Sequence, residues 1–241
     1  MDLHSHILPG LDDGPAELAG SLAMARSAVE DGIRTIAATP HVREDYPTTV
    51  DQMEQGLEAL HAATRAEGIE LELVPGGELA LEQLGRLEAD ELRRFGLGGN
   101  DRWLLVEFPY SGWPLGLPRL AERLAGEGFG IVLAHPERNP DVQAVPGRLQ
   151  DFVDDGMLVQ LTAASVDGRL GKRPREAAFA LLDLGLAHVL ASDSHAAEVR
   201  EIGLSAAARS IGDEALARWL TVDVPAAIVS SSQPPDRPPA P

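Results

Sequence analysis

The chain's 241 residues carry 20 Lys and Arg against 38 Asp and Glu, a formal net charge of −18, and 44% of them are hydrophobic. Such an acidic balance argues against a nucleic-acid-binding surface and against docking on anionic lipid, both of which need a basic footprint. Cysteine is absent, which excludes disulfides, thiolate metal sites and every cysteine nucleophile together.

The chain opens "DLHSH". If residues 2–4 begin a strand, His4 and His6 project from the same side of it, as two ligands of one metal would. A helix is expected over 16–30, where Leu18, Leu22, Ala25 and Val29 recur at spacings of three to four. A strand over 35–39, a helix over 50–67 and a strand over 71–75 follow, and the loop Gly96-Leu97-Gly98-Gly99-Asn100 leads into a strand over 103–107. A helix over 118–127, strands over 130–134 and 157–161, a helix over 175–184, a strand over 187–191 and a helix over 202–211 complete the series. Strands alternating with helices predict a parallel-sheet α/β protein of near-barrel strand count, folded as one domain. The end, "SSSQPPDRPPAP", holds five of the 18 prolines and is expected to be a disordered tail over 230–241. No apolar run approaches the roughly 18 residues that span a bilayer. Met1-Asp2-Leu3 has neither the basic nor the apolar region of a signal peptide, so a cytoplasmic location without membrane insertion is the expectation.

Parallel barrels carry their chemistry at the carboxyl ends of the strands. There this sequence places "HSH", "TPH" with His41, "GGE" with Glu78, "VEF" with Glu107, "AHPER" with His135 and "SDSH" with Asp193 and His195. Any one of them alone reads as a solvated loop residue or a helix cap. Six strand ends with such residues point to a metal centre, and imidazole with carboxylate suits Mn²⁺, Fe²⁺ or Zn²⁺. His61, inside a helix, and His188, at the start of a strand, are assigned to structure. The strand that ends "QLTAAS" offers no metal ligand.

The ordered set "DLHSHILPGLDDG", "TPH", "GGE", "VEF", "AHPER" and "SDSH" resembles the polymerase and histidinol phosphatase (PHP) superfamily, and within it the capsule-type, metal-dependent bacterial tyrosine-protein phosphatases. The match runs over about residues 2–229, and "HSHILPGLDDG" with "HPER" is its specific part. The resemblance implies a distorted, TIM-like (β/α)7 barrel over 1–229 that binds three divalent metals, manganese first, with iron or zinc as alternatives. It implies His4, His6, Glu78 and Asp193 on one metal; the shared Glu78 with Glu107 and His135 on a second; and Asp13, His41 and His195 on a third, with Asp12 and Asp13 open to exchange. Arg138 and Arg200 align with phosphate-binding arginines, and His195 is a candidate proton donor. The implied substrate is phosphotyrosine on a protein, with a bacterial tyrosine kinase of polysaccharide export as partner.

Two departures fall at the rim: Ala196-Ala197-Glu198-Val199-Arg200 where the family commonly reads Asn after the last histidine, and Thr162 where Asn is common. A small-molecule phosphoesterase of the histidinol-phosphatase type is the alternative. A non-catalytic PHP module ranks last, because no ligand position is lost. Phe108, Tyr110 and Trp113 in "EFPYSGWP" are candidates to flank a phenyl ring.

Overall fold

The structure is a computed structural model and describes residues 1–196 and 199–239; Ala197 and Glu198 of the rim departure lie outside the described residues. In chain order it forms α1 (Leu18–Glu30), β1 (Thr35–Ala38), β2 (His41–Val42), α2 (Val50–Ala66), β3 (Glu72–Pro75), β4 (Glu78–Leu79), α3 (Ala89–Arg94) and β5 (Trp103–Glu107). There follow α4 (Leu117–Gly126), β6 (Gly130–Ala134), α5 (Pro140–Ala144), α6 (Gln150–Asp154), β7 (Leu158–Thr162), α7 (Ala163–Val166), α8 (Lys172–Asp183) and β8 (Val189–Ala191). The chain ends with α9 (Leu204–Ile211), α10 (Glu214–Arg218) and α11 (Val224–Val229). No described helix is long and apolar enough to cross a membrane.

This is a mixed α/β fold around parallel strands. β1 pairs with β3, and the order β2-β4-β5-β6-β7-β8 forms a six-stranded sheet in which every named pair is parallel. Strands β5 to β8 are rich in Val, Leu and Ile and almost wholly buried, as parallel strands under helices must be, whereas β3 keeps Glu72 exposed at its start. The N-terminal segment, expected as a strand over 2–4, forms single parallel bridges instead, Asp2 with Ile36 and Ser5 with Ser194. It is hydrogen-bonded on both sides, to β1 through Ala37 N to Asp2 O at 2.8 Å and to the chain after β8 through Asp193 N to His4 O at 2.8 Å. Asp2 fastens it further, its carboxylate accepting from Ser192 N at 2.9 Å and Ser192 Oγ at 2.5 Å.

Two strand exits bend. Pro40, which has no N–H, separates β1 from β2. Gly76 and Gly77 separate β3 from β4, and a Cβ on Gly77 would come within 2.6 Å of the Phe95 ring. These bends let His41 and Glu78 pair in register on the short second strands.

The helix expected over 16–30 forms as α1. Of its expected stripe Ala25 is buried and Leu22 and Val29 pack partly buried against the core, while Leu18 is 42% exposed and Ser21, Met24 and Ala28 complete the buried face. α2 begins at a reciprocal capping box between Thr49 and Gln52. After α11 the described residues form neither helix nor strand, and the segment expected to be a disordered tail lies against the body over its described part: Trp219 Nε1 donates to Pro235 O at 3.0 Å and Arg237 to Leu182 O at 2.7 Å.

Candidate metal centre

Glu78, the first residue of β4, is the hub. Its Oε1 lies 2.8 Å from His135 Nε2, and its Oε2 lies 2.8 Å from His41 Nδ1 and 3.4 Å from the Nε2 atoms of both His4 and His6. The two N-terminal histidines turn these nitrogens toward each other, 3.3 Å apart, and Asp193 Oδ1 lies 3.5 Å from each. Asp13 Oδ1 lies 3.2 Å from His195 Nε2 and 3.6 Å from His41 Nε2. All of these side chains are buried except Asp13, whose side chain is 42% exposed and so marks the solvent side of the cluster.

Candidate ligand atoms gather in three sets, each within 4.8 Å: His6, Asp13, His41 and His195; His4, His6 and Glu78; and His41, Glu78 and Glu107. The third expected grouping recurs with His6 added. In the second, His41 stands with the two glutamates while His135 meets Glu78 alone. Arg138 donates to Asp193 Oδ2 at 3.0 Å; Arg200 pairs with the same oxygen and also donates to Asp193 O at 2.7 Å. The two arginines and the two N-terminal histidines therefore share one carboxylate, on opposite oxygens.

Burial alone would push every carboxylate here up and every imidazole down. Against that burial, His4 and His41 hold Glu78 well below the usual range, and His4, His6 and Arg200 do the same for Asp193. Glu107 is different: burial and the neighbouring Glu78 charge push it up to about 7. Burial pulls His135 down to about 4 despite Glu78, and its Nδ1 is buried with no hydrogen-bond partner among the described residues. An orphaned ring nitrogen among crowded carboxylates, with only N and O donors, fits divalent cations.

Two candidate ligands hold left-handed backbone, His135 with φ 41° and Asp193 with φ 50°, conformations that non-glycine residues seldom adopt. Neighbouring side chains hold the ligands. Asp12 Oδ2 lies 2.6 Å from His6 Nδ1 and accepts from His41 N at 2.9 Å, so it orients ligands while Asp13 faces the cluster. Gly14 completes "DDG" because a Cβ there would lie 2.1 Å from His6 O. Gln160 Oε1 lies 2.9 Å from His4 Nδ1, so the strand read as offering no ligand supplies an orienting group instead. Glu137, buried and raised to about 7 by that burial, accepts from Thr162 N at 3.0 Å and Ser165 Oγ at 2.6 Å and ties down the "HPER" turn.

Sequence reasoning missed Gln160, Glu137 and Arg43, whose NH1 lies 3.1 Å from Glu107 Oε1; only the carboxylate doublet of "DDG" signalled the Asp12 role. His61 lies outside the cluster, its Nε2 2.9 Å from Leu73 O, and His188 lies near Trp219 at the opposite end of the strands. Of the three aromatic candidates, Phe108 is buried and packs on Trp113, which stacks on Phe152, so neither borders the centre. Tyr110 does, stacked on His135.

The sequence model for capsular polysaccharide synthesis proteins CpsB/CapC matches residues 1–229. The chain belongs to the CpsB/CapC family. Within that family it is similar to the tyrosine-protein phosphatase YwqE of Bacillus subtilis (strain 168), with 36% identity over 83% of this chain and 79% of the relative. It is also similar to the tyrosine-protein phosphatase CpsB of Streptococcus agalactiae serotype III (strain NEM316), with 26% identity over 83% of this chain and 84% of the relative. A crystal structure from work on YwqE of Bacillus subtilis and CpsB of Streptococcus pneumoniae, described as unique metal-dependent tyrosine phosphatases, matches with a TM-score of 0.86 and 31% identity over 99% of both chains.

Proposed function

We propose that this CpsB/CapC chain hydrolyses phosphotyrosine on proteins with divalent metal ions, in the control of capsular or exopolysaccharide synthesis. The observation that carries the reading is the gathering of His4, His6, His41, Glu78, Glu107 and their neighbours into sets of ligand atoms within 4.8 Å, in a chain without cysteine. The ligands proposed are His4, His6, Asp13, His41, Glu78, Glu107, His135, Asp193 and His195, holding three ions, manganese first. Bound divalent ions supply Lewis acidity, activating water near neutral pH and polarising phosphoryl oxygens.

The chain's own residues supply orientation and charge. Arg138 and Arg200, side by side on Asp193, are poised to turn their remaining N–H groups to the phosphoryl oxygens, where charge-assisted donors stabilise the transition state. Asp12 and Gln160 hold the rings of His6 and His4. His195 lies near the exposed Asp13 and is placed to assist a proton, although tyrosine, with a pKa of about 10, leaves with little help.

The same reading takes residues 1–229 as one domain whose strands close into a distorted seven-stranded barrel; the bonds of the N-terminal segment to both β1 and the chain after β8 support it. A cytoplasmic location and a tyrosine kinase of polysaccharide export as substrate complete it. The test is metal analysis coupled to a screen of phosphotyrosine peptide, phosphoserine peptide and histidinol phosphate at equal Mn²⁺. Preference for phosphotyrosine is expected. Faster turnover of histidinol phosphate moves the chain to a small-molecule phosphoesterase.

A further inference from the structure

The chain has only two tyrosines, and both stand against the cluster. Tyr46 stacks on His41, with ring centres 5.8 Å apart and planes 14° apart; Tyr110 stacks on His135 at 5.4 Å and 15°. Each has a guanidinium over its ring, Arg43 at 5.1 Å from the centre of Tyr46 and Arg138 at 4.7 Å from that of Tyr110. His41 and His135 contact different oxygens of Glu78, so the two tyrosines border the centre on two sides of that carboxylate. Neither is needed as core: Tyr110 is 44% exposed and Tyr46 half-buried.

We infer that Tyr46 and Tyr110 are specificity-determining residues, two arginine-backed aromatic borders that bind the planar ring of an aryl phosphomonoester and leave an alkyl one unsupported. The inference rests on the phosphatase reading and names the device that selects within it. With a phosphoryl group held at the cluster and by Arg138, the leaving group would extend toward the half-exposed Tyr110, whose ring centre lies 4.7 Å from the Arg138 guanidinium. A phenyl ring there gains an aromatic partner in stacked or edge-to-face contact, whereas the short side chain of phosphoserine has nothing to place on it. The cation over each tyrosine fixes the ring before substrate arrives, which reduces the ordering cost of binding.

The test separates ring binding from leaving-group chemistry. Phenylphosphonate and butylphosphonate, which cannot be hydrolysed, are titrated as competitive inhibitors of phosphotyrosine-peptide turnover by the Mn²⁺-loaded full chain. The parent is expected to bind phenylphosphonate more tightly. Tyr110→Ala and Tyr46→Ala should each lower the ratio of the butylphosphonate to the phenylphosphonate inhibition constant about two- to tenfold, with metal content at the parent's level. Tyr110→Phe and Tyr46→Phe should keep the parent's ratio, because they keep the ring. A double alanine variant that retains the ratio, or phenylalanine variants that lose it, overturns the inference while leaving phosphotyrosine hydrolysis standing. A metal-loaded parent that turns over no phosphotyrosine overturns the functional reading, and the inference with it.

Discussion

Asp193 serves two pairs of neighbours at once. Its Oδ1 faces His4 and His6 and its Oδ2 faces Arg138 and Arg200, so the arginines balance a carboxylate that burial would otherwise neutralise. Arg138→Ala should leave the fold intact, because its side chain lies at the rim of the cluster, and should lower kcat about 100- to 1,000-fold, the loss typical of one oxyanion donor. Steady-state kinetics on an aryl phosphate read this, and turnover at the parent rate would remove Arg138 from the reaction. Asp12→Asn is expected to act differently. It replaces the charged acceptor at His6 Nδ1 with a neutral one, which should weaken metal affinity roughly 10- to 100-fold while a saturating metal concentration restores turnover. Metal titration followed by activity distinguishes the two variants, since excess metal should not rescue Arg138→Ala.

At the scale of elements, β7 and β8 are joined at the end remote from the cluster by His188. Its backbone N donates to Val159 O at 2.8 Å, and its Nδ1 accepts from Val159 N at 3.2 Å, which requires that nitrogen unprotonated. Burial, with the Arg237 guanidinium nearby, lowers its pKa from 6.5 to about 4. Between those values the unfolded chain takes up a proton that the folded chain refuses. The contribution of His188 is therefore fully present above pH 6.5 and is lost as pH falls toward 4. In metal-free protein, His188→Gln should flatten the parent's loss of stability between pH 7 and pH 5 by at most about 2 kcal/mol. Urea midpoints at the two pH values measure it, and parallel losses in parent and variant would exclude the role. Most element positions were legible from apolar runs and helical spacing, as in β5, β6 and α2. The short α3, α5, α6, α7, α10 and α11 were not, because four to six residues carry too little periodicity to stand out.

For the whole molecule, the formal charge of −18 includes carboxylates that converge on one buried cluster with few cations inside it. Loading with divalent ions should therefore stabilise the fold as well as activate it. More than one Mn²⁺ per chain is expected by elemental analysis. Chelation should lower the melting temperature, and each ion present at a hundred times its Kd should contribute about 2.7 kcal/mol. A stoichiometry of one or less, or a melting temperature indifferent to chelator, would contradict the proposal of a multinuclear centre.

The sequence by itself determined the alternation of strand and helix, the exclusion of cysteine chemistry and the identity of the histidines and carboxylates that meet, because strand ends and ligand chemistry are local properties of short motifs. Tertiary structure alone decided how those residues group. That His41 rather than His135 shares a set with Glu78 and Glu107, that Asp12 orients while Asp13 faces the cluster, and that Gln160 reaches His4 across 156 positions of chain all depend on register and on the bends at Pro40 and Gly76-Gly77. It also decided which aromatics are free: Phe108 and Trp113 are drawn to Phe152 because apolar surface is buried wherever partners allow, which leaves Tyr46 and Tyr110, each held by a histidine and an arginine, at the border of the site.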